Sequence, residues 1–287
     1  MNKSNKWVRL FLAVPILLLT IFGILPIINL IVISFTSWNG MGSEFNWVGW
    51  DNYTTLFKSP VYWNALRVNL YYLVSGIIQM VIAYYFAVIL SEKTRGKNFF
   101  KSLFLLPSLI SSMAVAMIFR LFLSPKGAFD QLLIFLHLDK WITFWLGNPD
   151  QVNITLASIS LWRNLGISFI LYYGAIQSIP RDYNDVCLID GASLWQKTKW
   201  ITIPQTMKVI YLNCILLIIG VISVFDIPFI LTNGSNGSTT IVVQTMKLAF
   251  EQKKYGIASS LSVCITLIIV LLSGFLNYVK NKGGQKK

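Results

Sequence analysis

Residues 185–204 read DVCLIDGASLWQKTKWITIP, a polar cassette set between two long apolar runs. Its reading starts a little upstream, at QSIPRDYND. Pro180 suits the first turn of a new helix. Asp182 and Asp185 are expected in that first turn, where carboxylates face the positive end of the helix dipole. Val186, Leu188 and Ile189 then present apolar side chains on a short helix. Asp190-Gly191 predicts a stop, because glycine readily takes the left-handed conformation after a helix. SLWQKTKWI begins a second short element, and Pro204 precedes the next apolar run. The expected product is a helix–turn–helix knob of about 25 residues, far longer than the roughly 2–8 of a simple helix–helix connection. A solvated amphipathic loop is the plain alternative.

The flanks are what make the cassette odd. Of 287 residues, 55% are hydrophobic and only 12% are charged. Soluble domains carry about 25% charged residues, so the composition is that of an integral membrane protein. A span needs roughly 20 apolar residues. Six stretches qualify, near 10–34, 68–90, 103–123, 154–178, 209–231 and 257–279. The fold class expected is therefore all-α, with six transmembrane helices and the knob between the fourth and fifth. The first span follows Lys3, Lys6 and Arg9. It is far longer than the roughly 7–15 apolar residues of a signal peptide and reads as a retained anchor. Pro15 and Pro26 are expected to kink it.

Net charge is +13. Its distribution speaks for membrane topology rather than nucleic-acid binding. Lys3, Lys6, Arg9, Lys93, Arg95, Lys97, Lys101, Arg181, Lys197, Lys199, Lys208, Lys280, Lys282, Lys286 and Lys287 fall on one side, 15 of the 24 lysines and arginines. The opposite loops are longer in total, yet hold eight: Lys58, Arg67, Arg120, Lys126, Lys140, Lys247, Lys253 and Lys254. The positive-inside rule then places both termini and the knob in the cytoplasm. The outer segments include Trp38, Trp47, Trp50 and Trp63, suited to the membrane interface, and AFDQLLIFLHL at 128–138, an amphipathic helix on the outer surface. TNGSNGSTT at 232–240 reads as a turn. The organisation expected is an anchor with the first outer loop (1–65), a five-helix core (66–280) and a basic tail (281–287).

Catalytic chemistry finds little support. Cys187, Cys214 and Cys264 form no disulfide or metal pattern, His137 stands alone, and neither HExxH nor GxxxxGK[ST] occurs. Two charges lie inside spans, Arg163 and Asp226. Each would cost roughly 2.5–3.5 kcal/mol at mid-bilayer, so both are expected to face an interior or a water-filled path. Ser160, Arg163, Asn164 and Ile167 share one face of span four by helical spacing. Ser108 and Ser112 lie one turn apart on span three, and Ser223 neighbours Asp226 on span five. Together they can line a substrate pathway or gate. For the serines, helix–helix packing is the competing role. Arg163 and Asp226 differ in expected depth by about 6 Å at 1.5 Å per residue, within reach of an arginine, so an ion pair is expected, the alternative being Asp226 facing water and Arg163 bonded to backbone carbonyls of a broken helix.

The cassette resembles the EAA loop of the permeases of ATP-binding-cassette importers. Asp190-Gly191-Ala192 and Ile201-Thr202-Ile203-Pro204 stand where that loop has DGA and I-x-L-P, and Asp185-Val186-Cys187 replaces its Glu-Ala-Ala. FNWVGWDNYTTLF, RGKNFFKSLFLLP, GAFDQLLIFLHL and FDIPFILTNGSNGSTT are similar to stretches of the carbohydrate-uptake, maltose or glycerol-phosphate type. The resemblance implies that Asp185, Val186, Cys187, Asp190, Gly191, Ala192, Ile201 and Pro204 form a coupling element seated in a separate ATPase. It implies a multi-pass subunit of the bacterial cell membrane that imports a sugar or oligosaccharide. It implies a second permease, an ATPase dimer and an extracytoplasmic sugar-binding protein as partners. ATP and Mg would sit on the ATPase, and this chain would bind no cofactor and be no enzyme. An ion-coupled secondary transporter is the alternative. It would need coupling-ion carboxylates near the midplane and internal repeats, where the sequence has one intramembrane acid and no clear repeat.

Overall fold

The computed structural model describes residues 3–42, 45–92 and 96–284. Lys93, Arg95, Lys286 and Lys287 of the charge pattern, and the end of the 281–287 tail, lie outside the described residues. In chain order the helices are α1 (Lys3–Leu19), α2 (Leu25–Ser34), α3 (Asp51–Lys58), α4 (Pro60–Ser91), α5 (Lys97–Leu109), α6 (Ser112–Phe122), α7 (Ala128–Phe135), α8 (Pro149–Gln177), α9 (Arg181–Ile189), α10 (Leu194–Lys197), α11 (Ile203–Ile222), α12 (Asp226–Thr232), α13 (Ile241–Met246) and α14 (Tyr255–Gly284). Among the described residues, five helical segments are long and apolar enough to cross a membrane, or six if α5 and α6 count as one bent span.

Two prolines shape the long helices in the same way. A proline has no N–H and its ring crowds the carbonyl four residues back. Immediately before Leu25-Pro26 the helix widens into a π turn at Thr20–Ile24, and before Ile203-Pro204 into another at Thr198–Thr202. Each π turn shifts the hydrogen bonding by one residue and lets the helix run on. Pro204 therefore opens no new element. The second leg of the knob, α10, passes through the π turn into α11 as one continuous helix, where the sequence suggested a separate short piece.

Two other spans break outright. Span three, expected over 103–123, bends by 97° between α5 and α6. Pro107 weakens the end of α5, Ile110 and Ser111 are extended, and the Ser111 hydroxyl caps α6 by accepting from the Ala114 N–H at 3.2 Å. Span five stops at Ile222 and resumes at Asp226. Asn69 holds that second break. Its side-chain amide donates to the Val221 carbonyl at 2.7 Å and accepts from the Ile241 N–H at 3.1 Å, while the Thr240 hydroxyl donates to the Val224 carbonyl at 2.9 Å. Free backbone carbonyls at a broken helix need such partners. The 232–240 stretch is more than a turn. Asn233, Gly234, Asn236 and Gly237 are left-handed, and Ser238 and Thr240 are fully buried.

The chain divides into two compact units, residues 1–63 with 244–268, and residues 64–243 with 269–287. In the first, the Asn52 amide donates to the Ser34 and Thr36 carbonyls at 2.8 and 2.9 Å, and the Ser34 hydroxyl pairs with Tyr53 at 2.7 Å. Gly256 lies so close to the Thr36 carbonyl that a Cβ would collide with it. The most apolar window of Phe11–Ser34 is 0% buried, as suits a surface that meets lipid rather than water. In the second unit, Tyr72, Val115, Leu156, Ile159, Val221 and Ile227 share one apolar core. Ala83, Ala87, Leu90, Phe169 and Tyr172 form another, nearer the knob. Gly166 of α8 lets α5 cross it closely, since a Cβ there would strike the Phe104 carbonyl.

Candidate functional site

The knob is built by α9, a tight turn and α10. Pro180 is the residue before α9, so Asp182 lies in its first turn and Asp185 falls a turn later, not in the first turn as expected. Asp190 ends the helix, and Gly191 takes φ +64°, the left-handed conformation its position called for. The Ala192 N–H returns to the Cys187 carbonyl at 2.9 Å and closes the turn. Ser193 and Gln196 then form a reciprocal capping box that starts α10. Only Cys187 of α9 is buried; Val186, Leu188 and Ile189 are exposed, the last two by 79% and 85%. Asp185, Asp190, Gly191 and Ala192 are also exposed, and Ile201 and Pro204 are half-buried. Trp195 and Trp200 add exposed rings on the second leg. The knob thus presents an exposed apolar helix face rimmed by acids.

Farther up the same unit, α4, α8 and α11 line an open cavity of about 270 Å³. Its polar lining comes from Tyr72, Ser75 and Gln79 of α4, Ser160, Asn164 and Ser168 of α8, and Asn213 of α11. A hydrogen-bonded chain organises part of it. The Gln79 amide donates to the Asn164 carbonyl at 3.0 Å and to the Ser168 hydroxyl at 2.8 Å, and Ser168 donates to the Asn213 carbonyl oxygen at 3.2 Å. Three buried polar atoms of the lining residues have no partner: the Tyr72 hydroxyl, the Ser160 hydroxyl and the Asn213 amide nitrogen. Gly76 leaves room for Leu217 to reach the α4 backbone.

Of the residues singled out in the sequence, Ser160 and Asn164 line this cavity, and Ile167 lies beside them. Ser108 and Ser112 do not share a face, because the bend falls between them. Ser108 turns back to the Leu105 carbonyl, whereas Ser112 donates to the Asp226 carboxylate. Ser223 and Asp226 are likewise parted by the second break; Ser223 ends α11 and Asp226 begins α12. Arg163 Nη1 stands 3.9 Å from Asp226 Oδ2, so the two intramembrane charges do pair. Gln79, Ser168 and Asn213 were missed in the sequence. Each was visible as an isolated amide or hydroxyl within an apolar run, but no spacing rule relates three different helices.

A family described as binding-protein-dependent transport system inner membrane component matches residues 79–282. The chain belongs to that family. Membership, with the candidate spans, makes it a multi-pass membrane component of a transport system. It is 31% identical to the probable ABC transporter permease protein YurN of Bacillus subtilis (strain 168), over 95% of this chain and 96% of that one. It is 28% identical to the multiple sugar-binding transport system permease protein MsmF of Streptococcus mutans, over 95% and 94%. The fold is similar to that of a chain in the crystal structure of a bacterial ABC transporter for the acidic polysaccharide alginate. The TM-score is 0.86, with 23% identity over 97% of this chain and 96% of that one. A second structure of the alginate transporter, in complex with a periplasmic protein carrying an alginate pentasaccharide, gives 0.85, with 22% identity over 97% and 96%.

Proposed function

We propose that this chain is one of two homologous permeases in an ATP-binding-cassette importer for a sugar or oligosaccharide. The cavity between α4, α8 and α11 carries the reading. Three of its lining residues hold buried polar atoms without partners, and such atoms are expensive to leave unpaired. The amide and hydroxyl side chains that line the cavity suit a guest rich in hydroxyls, which both donates and accepts. Relatives named for several sugars, for lactose and for trehalose and maltose support the same substrate class.

On this reading residues 66–280 form the transport core and 1–65 an anchor with the first outer loop. Both termini and the knob face the cytoplasm, as the charge bias requires. Asp185, Val186, Cys187, Asp190, Gly191 and Ala192, with Ile201 and Pro204, seat in a groove of a cytoplasmic ATPase dimer, which binds ATP and Mg and hydrolyses the nucleotide. This chain holds neither. An extracytoplasmic sugar-binding protein delivers the substrate. Ser160 and Asn164 line the path. Arg163, Asp226 and Ser112 close its far end, and Ser108 and Ser223 flank the two helix breaks that move with the closure.

The test is the complete transporter in proteoliposomes, with its binding protein screened against neutral and acidic sugars. Uptake of one sugar class should need ATP. It should fall about tenfold in Ser160→Leu and Asn213→Leu, the scale of one or two lost hydrogen bonds, while the ATPase still co-purifies. ATP-independent uptake, or uptake indifferent to both changes, overturns the reading.

A further inference from the structure

The knob carries no chemistry, so its motion matters only if the spans follow it. Its second leg is not joined to them by the chain alone. Lys197, the last residue of α10, places Nζ 2.5 Å from Oε1 of Glu92, the residue directly after α4. The lysine side chain is 20% exposed and the glutamate 43%. Two turns higher, the Thr206 hydroxyl meets the Tyr84 hydroxyl at 2.9 Å. The rungs match in spacing: Tyr84 to Glu92 spans about 12 Å along α4, and Lys197 to Thr206 about 14 Å along the facing helix, which runs the opposite way. Between the rungs lies the π turn Thr198–Thr202, whose Thr198 and Thr202 are buried. The α8 terminus is bound in as well, since the Gln177 amide donates to the Ser91 carbonyl at 3.4 Å.

A π turn interrupts the regular hydrogen bonding of a helix, and such turns are frequent at functional sites. Pushed from below, an unbraced helix would absorb displacement at that turn instead of passing it upward. We propose that Glu92 and Lys197 are positioning residues for energy coupling: their ion pair, with the Tyr84–Thr206 rung above it, braces the π turn so that movement of the knob reaches α4 and α11 together. The proposal rests on the knob being the ATPase handle.

The experiment compares sugar imported with ATP hydrolysed in the reconstituted transporter, for Glu92→Gln, Lys197→Met, the conservative Lys197→Arg and the swap of Glu92→Lys with Lys197→Glu. Hydrolysis stimulated by the binding protein should stay within about twofold of the parent, while sugar moved per ATP falls about fivefold in the first two variants, as loss of a partly exposed pair implies. Lys197→Arg should keep the parental ratio, and the swap should regain at least about half of it. A packing contact would lower assembly and hydrolysis together and leave the ratio unchanged. An unchanged ratio in both single variants overturns the brace. So does failure of both single variants and the swap to accumulate, which would make the pair a folding contact. The handle fails separately: if the ATPase co-purifies undiminished with a chain in which residues 185–192 are replaced by a Gly/Ser linker, the knob reading itself is wrong.

Discussion

Arg163 and Asp226 show how a charge can be kept inside an apolar bundle. Asp226 opens α12, so its carboxylate faces the positive end of that helix, and it accepts a hydrogen bond from Ser112 at the start of α6. One carboxylate thus ties both helix breaks together. Arg163 approaches from α8 to 3.9 Å without a direct hydrogen bond, and its Nε is buried with no partner. The arginine is held by charge and not by fixed geometry. It can swing away without first breaking a bidentate grip, which suits the closure proposed for it. The contact is long and makes no direct hydrogen bond, so its loss should weigh on transport by about fivefold rather than by orders of magnitude. Asp226→Asn and Arg163→Gln should each lower sugar uptake by that factor. Arg163→Asp combined with Asp226→Arg should restore part of it, and only part, because Ser112 would then face a cation. A double swap no better than the worse single variant would remove the pair from the mechanism.

The elements show where sequence reading reached and where it stopped. Gly191 could be read directly: an acid followed by glycine after an apolar helix calls for a left-handed residue, and the observed φ is +64°. Nothing lies within 4 Å of a Cβ built there, so a substitution would meet no clash, only the backbone's own resistance. That resistance is about 1–3 kcal/mol and is worst for β-branched residues. Gly191→Val should therefore lower co-purification of the ATPase and uptake while the subunit still inserts, and Gly191→Asn, which tolerates the conformation, should retain most of both. Normal assembly and uptake in the valine variant would refute the assigned turn as a coupling element. The bend between α5 and α6 and the gap between α11 and α12 were not legible in this way. Hydropathy averages over an apolar window and is blind to a break inside it. What makes the breaks stable are partners far along the chain, Asn69 and Thr240 for one and Asp226 with Ser112 for the other. The two π turns at Thr20–Ile24 and Thr198–Thr202 carried a local signal, a proline two residues after the turn ends, but proline alone does not say whether a helix kinks, stops or widens.

For the whole molecule, the apolar runs announced the number and rough limits of the spans, because a bilayer demands length and composition and little else. The cavity was not announced, since its walls come from three helices whose relative rotation no single periodicity records. Orientation is a separate matter and rests on the lysine and arginine bias between the two sets of loops. It has a sharp consequence at α8. That helix runs from Pro149 to Gln177, 29 residues or about 44 Å, and it separates the segment holding Asp139 from the knob holding Ser193. Both positions are exposed. In a background with Cys187, Cys214 and Cys264 replaced, Asp139→Cys should react with a membrane-impermeant maleimide in intact cells, and Ser193→Cys only after the membrane is opened. Because α8 alone of the candidate spans lies between the two positions, they must report opposite sides if it crosses at all. Labelling of both from outside would deny that α8 spans. Labelling of Ser193→Cys alone would invert the protein, turn the knob away from any cytoplasmic ATPase, and end the case for coupling through it.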